Sequence, residues 1–362
     1  MNPKPPRHTA LDHHHEPVAA KLLKPSAHKR LQMADVARLA GVSTATVSRA
    51  LNDSPLINAE TRSRITALAR SLNYSINAGA QNLRLGQNRT VALVVPLDSS
   101  TRQHLSDPFF LAMVGSVADA LTELGFDMLL SRVDAEQLDS AAALYDAGRA
   151  IGIILIGQWR HHDQLNALAV RRVPIVVWGA QLPQQLYSTV GGDNFRGGQL
   201  ATAHLLRLGR RDIAFFGDTD LPEVAQRHAG YLQALHEAGI EARAGLCPSV
   251  PFVPELAAQA VQTLQRKRVH FDAVFACSDL LAMAAISALR ASGKRVPEDV
   301  AVVGYDDVHL AEHFFPALST IRQPIDDAGK ALVNTLLALI DGERPAPVQL
   351  QTTLVIRNSS AG

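Results

Sequence analysis

Side chains suited to hydrogen-bonding a small polar ligand recur at one kind of place in this chain, just beyond short apolar runs. Asp98 follows VALVVP, Gln158, Trp159 and Arg160 follow IGIILIG, and Ser278 follows DAVFAC, with Phe110 and Asp193 at comparable positions. Polar groups and aromatic faces at the carboxyl ends of strands equip a binding cleft in an α/β sheet. The chemistry of a reaction centre is not equally legible. No GxxxxGK[ST] occurs and no GxGxxG follows the first apolar run, while the glycines of GGDNFRGG lack the spacing of a phosphate cradle. No Ser/His/Asp set can be argued from the spacing. Two cysteines, Cys247 and Cys277, are too few for a cysteine-ligated zinc site or a disulfide framework. The run His13, His14, His15 lies in a Pro- and His-rich stretch without periodicity. Neither metal, cofactor nor enzymatic activity is expected.

The elements that must hold these groups follow from periodicity. VALVVP, DMLLS, IGIILIG, PIVVWG, DIAFFGD, DAVFACSD and VAVVGYDD read as strands, and stretches such as 109–124, 194–208, 223–238, 254–266 and 279–291 read as helices between them. Strand and helix in alternation mean βαβ units and parallel sheets, and seven strands over this length suit two half-sheets. Ahead of them the pattern differs. Val36, Leu39 and Ala40 are spaced i, i+3, i+4, Gly41 breaks the helix, Val47, Ala50 and Leu51 repeat the spacing, and Ile65, Leu68, Ala69 and Leu72 give a third helix. Ser43 stands at the N-cap of the second helix, which leaves Thr44, Ala45, Ser48 and Arg49 exposed on its first turns.

Charge separates the same two regions. Residues 1–89 hold 13 Lys or Arg against 5 Asp or Glu, net +8; residues 90–362 hold 22 against 29, net −7. A basic N-terminal module meeting a polyanion, with nucleic acid the natural candidate, is the implication. Residues 1–30 read as a disordered leader without the apolar core of a secretory signal, and no apolar run approaches the roughly 18 to 20 residues of a membrane span. A cytoplasmic protein with no membrane partner is expected.

The stretch MADVARLAGVSTATVSRALND, followed by LINAETRSRITALARSLNYSINAGAQNLRLG, resembles the DNA-binding headpiece and hinge of the LacI/GalR repressor family, and 90–357 resembles that family's periplasmic-binding-protein-like effector domain. The resemblance implies an all-α helix-turn-helix headpiece (31–76), a hinge helix and linker (77–89), and an effector domain of two doubly wound parallel-sheet subdomains. Of these, the N-subdomain spans about 90–190 plus 319–348, and the C-subdomain about 191–318 plus 349–357. It further implies that Thr44, Ala45 and Arg49 read bases, with Arg49 able to make a bidentate contact to guanine. Ser43, Thr46, Ser48, Asn52 and Thr61 would position the DNA backbone, and Leu83 would wedge between base pairs of the minor groove. Gly79, in a hinge where relatives carry larger residues, implies a weaker hinge helix. For the cleft it implies Arg227, Asp279 and Asp306 hydrogen-bonding the hydroxyls of a sugar; Ser278, Asp98, Phe110, Gln158, Trp159, Arg160 and Asp193, by their place at other strand ends, are expected to complete the pocket. The expected whole is a homodimeric repressor that reads a pseudo-palindromic double-stranded operator and answers to a carbohydrate effector. A corepressor-dependent regulator sensing a nucleobase, nucleoside or sugar phosphate is the runner-up. An exported solute-binding protein would have no use for residues 31–89.

Overall fold

The computed structural model describes residues 31–72, 74, 88–98 and 103–361, and the chain divides into two units between Gly86 and Gln87. The expected leader, and residues 77–87 of the expected hinge with Gly79 and Leu83, lie outside the described residues.

The first unit contains α1 (Met33–Ala40), α2 (Thr44–Leu51) and α3 (Ala59–Ser71). Gly41 ends α1 with φ 67°, a left-handed conformation that glycine takes without a Cβ penalty, so the chain can turn within two residues to Ser43. Ser43 is extended and its hydroxyl accepts the Thr46 N–H at 3.1 Å; Asn58 caps α3 in the same way, accepting from the Thr61 N–H at 2.8 Å. Val36, Ala37, Ala40, Val47, Ala50 and Ile65 form the core. The Arg62 guanidinium pins the α2–α3 connection by donating to the carbonyls of Ser54 (3.0 Å) and Ile57 (3.1 Å).

The second unit begins with β1 (Thr90–Val94), α4 (Pro108–Glu123), β2 (Asp127–Ser131), a 3-10 stretch running into α5 (Ala142–Asp146), β3 (Ile153–Ile156), α6 (His162–Val170), β4 (Ile175–Trp178) and β5 (Ser188–Gly192). It continues with α7 (Asn194–Arg207), β6 (Ile213–Phe216), α8 (Pro222–Glu237), α9 (Pro254–Arg266), β7 (Ala273–Ala276), α10 (Asp279–Ala291), β8 (Ala301–Asp306) and α11 (His309–His313). Last come β9 (Ser319–Arg322), α12 (Ile325–Ile340), β10 (Val348–Leu350) and β11 (Thr353–Val355). One sheet runs β10-β5-β4-β3-β1-β2, parallel throughout; the other runs β11-β9-β8-β7-β6, parallel except for β11, which is antiparallel to β9.

The strands β1, β3, β4, β6, β7 and β8 are buried on both faces, and this is why they are apolar without alternation. In β1 and just beyond it, Val91, Leu93 and Val95 pack with Phe110, Met113, Val117 and Leu121 of α4 and Leu332 and Leu336 of α12. Ala92 and Val94 belong to the opposite face, with Leu138 and Leu165. In the second sheet's layer, α7 and α8 pack backbone to backbone. A Cβ on Gly198 would lie 2.0 Å from the Arg227 carbonyl oxygen, and one on Gly230 would lie 2.0 Å from that of Phe195.

The expected subdomain boundaries need correction. Strand β9 pairs with β8 through Val303↔Ser319 to Asp306↔Arg322, so residues 319–322 belong to the second sheet and the chain crosses after Arg322, not near Leu318. Likewise Gly191 and Gly192 remain in the first sheet, and the last crossing follows Leu350. Backbone pairing decides these short Ser-, Thr-, Gly- and Gln-bearing strands, whose side chains carry no apolar run to mark them.

Candidate ligand cleft and nucleic-acid interface

In the helix-turn-helix, Thr44, Ala45 and Arg49 are exposed along α2, while Thr46 and Ser48 are half-buried. The Ser43 and Thr46 hydroxyls are hydrogen-bonded to each other at 2.9 Å, which fixes the first turn, and the Asn52 side chain donates to the Ser48 carbonyl at 2.8 Å. Thr61 is partly buried at the start of α3. The arrangement presents one free-standing guanidinium and small neighbours on a rigid helix, a shape that fits a major groove.

The candidate ligand cleft of the second unit lies between the layers of its two sheets and encloses about 620 Å³, counting the open mouth. Two elements of the first sheet's layer supply one wall: the strand ends with Ile156, Gly157, Trp159 and Trp178, and the start of α4 with Asp107, Phe109 and Phe110, joined by Gln103. Leu221, Glu223, Arg227, Phe252, Asp306 and Gln323 supply the other. These are carboxyl ends of strands and amino ends of helices, where an α/β sheet binds ligands.

Arg227 is buried and oriented on three sides. Its Nε donates to Asn194 Oδ1 at 2.9 Å, its Nη1 to the Cys277 carbonyl at 2.6 Å, and the guanidinium lies over the Tyr305 ring, 3.7 Å from its centroid. Asp306 ends β8 with φ 119°, and Gln323 Nε2 donates to its carboxylate at 2.7 Å. Burial pushes the Asp306 carboxyl up to about 7 despite the opposing Arg227 charge, and Asp107 adds to the rise. Burial also raises Asp107 and Glu223, the latter again held back by Arg227. Trp159 (φ 49°), Asp306 and Asp307 (φ 56°) are three of the non-glycine residues with positive φ. Backbone strain gathered at a cleft is a mark of a functional site.

A family model described as "Bacterial regulatory proteins, lacI family" matches residues 32–77, and one described as "Periplasmic binding protein-like domain" matches 202–360. The HTH-type transcriptional regulator CelR of Thermobifida fusca is 37% identical over 334 residues, 90% of this chain and 96% of the relative. This chain belongs to the LacI family of transcriptional regulators. Among solved structures, a CelR–cellobiose complex is similar at TM-score 0.66 and 35% identity, covering 91% of this chain and 100% of that one. A Lac repressor dimer bound to operator and the anti-inducer ONPF is similar at TM-score 0.79 and 25% identity, covering 92% and 100%. The fold is that of the family: a helix-turn-helix unit and a periplasmic-binding-protein-like α/β unit. The relatives are regulators and not enzymes, and among the described residues no helix is long and apolar enough to cross a membrane.

Of the ligand residues expected from the sequence, Arg227 and Asp306 from the family resemblance and Phe110 and Trp159 from their place at strand ends line the cleft. The others stand elsewhere. Asp279 is fully buried at the first position of α10, accepting from the Thr320 hydroxyl at 2.5 Å and the Val308 N–H at 2.9 Å, so it fastens the β8–α11 turn to β9. Ser278 is the cap of α10, accepting from the Leu281 N–H. Asp193 caps α7 by accepting the Arg196 N–H at 2.9 Å, and Gln158 clamps Ala180 through both its backbone groups. Arg160 pairs with Asp218 and, with Asp98, lines a smaller neighbouring hollow. The sequence reading passed over Asp107, Glu223, Gln103, Gln323, Trp178 and Phe252. The Asp107-Pro108 pair is an N-cap followed by a first-turn proline, a signal that could have located the start of α4 at the sheet edge.

Proposed function

We propose that this LacI-family regulator is an operator-binding repressor, acting as a dimer, whose DNA affinity is set by an uncharged carbohydrate held between the two sheets. The carrying observation is the cleft lining: aromatic rings, Trp159 and Trp178 among them, for the apolar faces of a sugar, and the carboxyls of Asp107, Glu223 and Asp306 with the Arg227 guanidinium for its hydroxyls. CelR in complex with cellobiose supports this class of ligand, and the operator-bound Lac repressor dimer supports the assembly. Three carboxyl groups against one guanidinium disfavour a phosphate-bearing ligand, which weakens the sugar-phosphate alternative. Thr44, Ala45 and Arg49 then face base edges, Ser43, Thr46, Ser48, Asn52 and Thr61 the phosphates, and Leu83 the minor groove. An effector changes operator affinity only through its different affinity for the DNA-competent state, so the coupling is reciprocal.

The chain's two tryptophans, Trp159 and Trp178, both line the cleft, so intrinsic fluorescence reports on the site itself. Cellobiose, other neutral mono- and disaccharides, sugar phosphates and nucleobases are titrated against the full chain by fluorescence and thermal shift. A neutral saccharide at a hundred times its Kd should stabilise by about 2.7 kcal/mol. Response to a nucleobase or sugar phosphate alone overturns the reading, and a gel shift with the responding ligand gives the sign of the coupling.

A further inference from the structure

We infer that α11 carries a binding site for a divalent transition metal of the zinc class, made by His309, Glu312 and His313. The three side chains are exposed, and their candidate ligand atoms all lie within 4.8 Å of one another. Among the described residues they form the one such group of three His, Cys, Asp or Glu side chains. His309 and His313 are four residues apart, so a helix puts them on the same face one turn apart, with Glu312 beside them. Their rings meet edge to face with centroids 4.8 Å apart. Imidazole nitrogens bind zinc at about 2.0–2.1 Å, which places ligand atoms sharing a tetrahedral ion roughly 3.4 Å apart. Closing from the present spread is a matter of small rotations about exposed side-chain bonds.

The mount is what makes so short a helix a platform. A five-residue helix does not persist alone in water, but this one is fastened along its length. The Val308 N–H before it donates to Asp279 at 2.9 Å, the Leu318 N–H donates to the Ala311 carbonyl at 2.8 Å, and the Arg290 guanidinium donates to the Phe315 carbonyl at 2.8 Å. Ala311, on the opposite side from the three ligands, is fully buried. The backbone bearing the ligands is thus fixed before any ion arrives, the condition for a site built of few residues. Two imidazoles and one carboxylate suit zinc, cobalt, nickel or copper better than calcium or magnesium, and leave a fourth position to water.

The test is titration calorimetry with zinc chloride, and cobalt(II) absorption in the visible, on the full chain. Parent and double variant, His309→Ala with His313→Ala, both carry His13→Ala, His14→Ala and His15→Ala, so that this run of leader histidines cannot supply the signal. The proposal expects one zinc equivalent in the parent that is weakened at least about tenfold in the double variant. Glu312→Gln should weaken zinc and change the cobalt spectrum while leaving thermal unfolding unaltered. Equal zinc affinity in parent and double variant, or no saturable equivalent in the parent, overturns it.

Discussion

Asp306→Asn exchanges a buried carboxyl for an amide of the same shape whose oxygen can still accept the 2.7 Å hydrogen bond from Gln323. Packing is therefore preserved, and what is removed is one ionisable group of the buried Asp279–Asp306 pair. In the folded parent, burial pushes this carboxyl up to about 7, against about 3.9 in an unfolded chain. The direction of the pH effect follows. Below pH 4 both states hold the proton and the folded state has its full stability. Between pH 4 and 7 the unfolded chain loses its proton while the folded one retains it, so stability falls as pH rises, levelling above 7. Three pKa units at 1.36 kcal/mol each set a ceiling of about 4 kcal/mol, more than half of which develops between pH 5 and pH 8. The amide of the variant contributes no such fall. Urea unfolding of both proteins, followed by the fluorescence of Trp159 and Trp178, should find the variant gaining on its parent by about 2 kcal/mol from pH 5 to pH 8. A stability difference that stays constant within about 0.5 kcal/mol across that range refutes a raised titration of the buried Asp279–Asp306 pair.

Arg227→Ala should weaken the saccharide by about 1 to 3 kcal/mol, a tenfold to hundredfold loss in calorimetry, and leave operator binding intact; unchanged ligand affinity would make Arg227 purely structural. Arg49→Ala should cost the operator about 1 to 3 kcal/mol in a gel shift, while binding to unrelated DNA stays within a fewfold; equal losses on both DNAs would reassign Arg49 to phosphate. Gly198→Ala should destabilise by about 1 to 3 kcal/mol or more, because its Cβ would meet the Arg227 carbonyl at 2.0 Å, and a neutral result in thermal unfolding would show that the α7–α8 contact relaxes freely.

What could be read in advance divides along physical lines. The apolar runs that became β1, β3, β4 and β6 to β8 are legible because a strand buried on both faces has no room for polar side chains. Strands β5, β9, β10 and β11, such as STVGG and VQL, are short, polar or glycine-bearing, and exist because a neighbouring strand pairs with them. The headpiece is legible almost completely, since a capped helix, a left-handed glycine and i, i+3, i+4 spacing are local signals. The cleft is not local. Glu223 and Arg227 come from α8, Asp107 from the cap of α4 and Gln323 from the crossing after β9, and only the fold that brings the ends of the two sheet layers together makes them neighbours. Spacing along the chain carries no trace of that convergence. Family resemblance supplied Arg227 and Asp306, and the same resemblance offered Asp279, whose oxygens the structure commits to Thr320 and Val308.

Asp279 nonetheless acts on the cleft residue Asp306. The Asp306–Asp307 turn is held at positive φ, and the groups that hold it are Asp279 on the Val308 N–H, Gln323 on the Asp306 carboxyl, and Arg322 and Arg357 on the Asp307 carboxyl at 2.6 and 2.7 Å. Asp279 and Asp306 are both buried, and the charge of Asp306 is the second cause, after burial, of the rise in Asp279. Two buried carboxyls that repel one another lose their protons in shared steps that belong to the pair. On the proposed reading, a saccharide hydroxyl donating to Asp306 would favour its ionised form and thereby draw the next proton toward Asp279, on the clamp that fixes the turn. On that reading ligand contact, proton and turn geometry meet within a few residues of one another, at the Asp306–Asp307 turn that Asp279 and Gln323 hold.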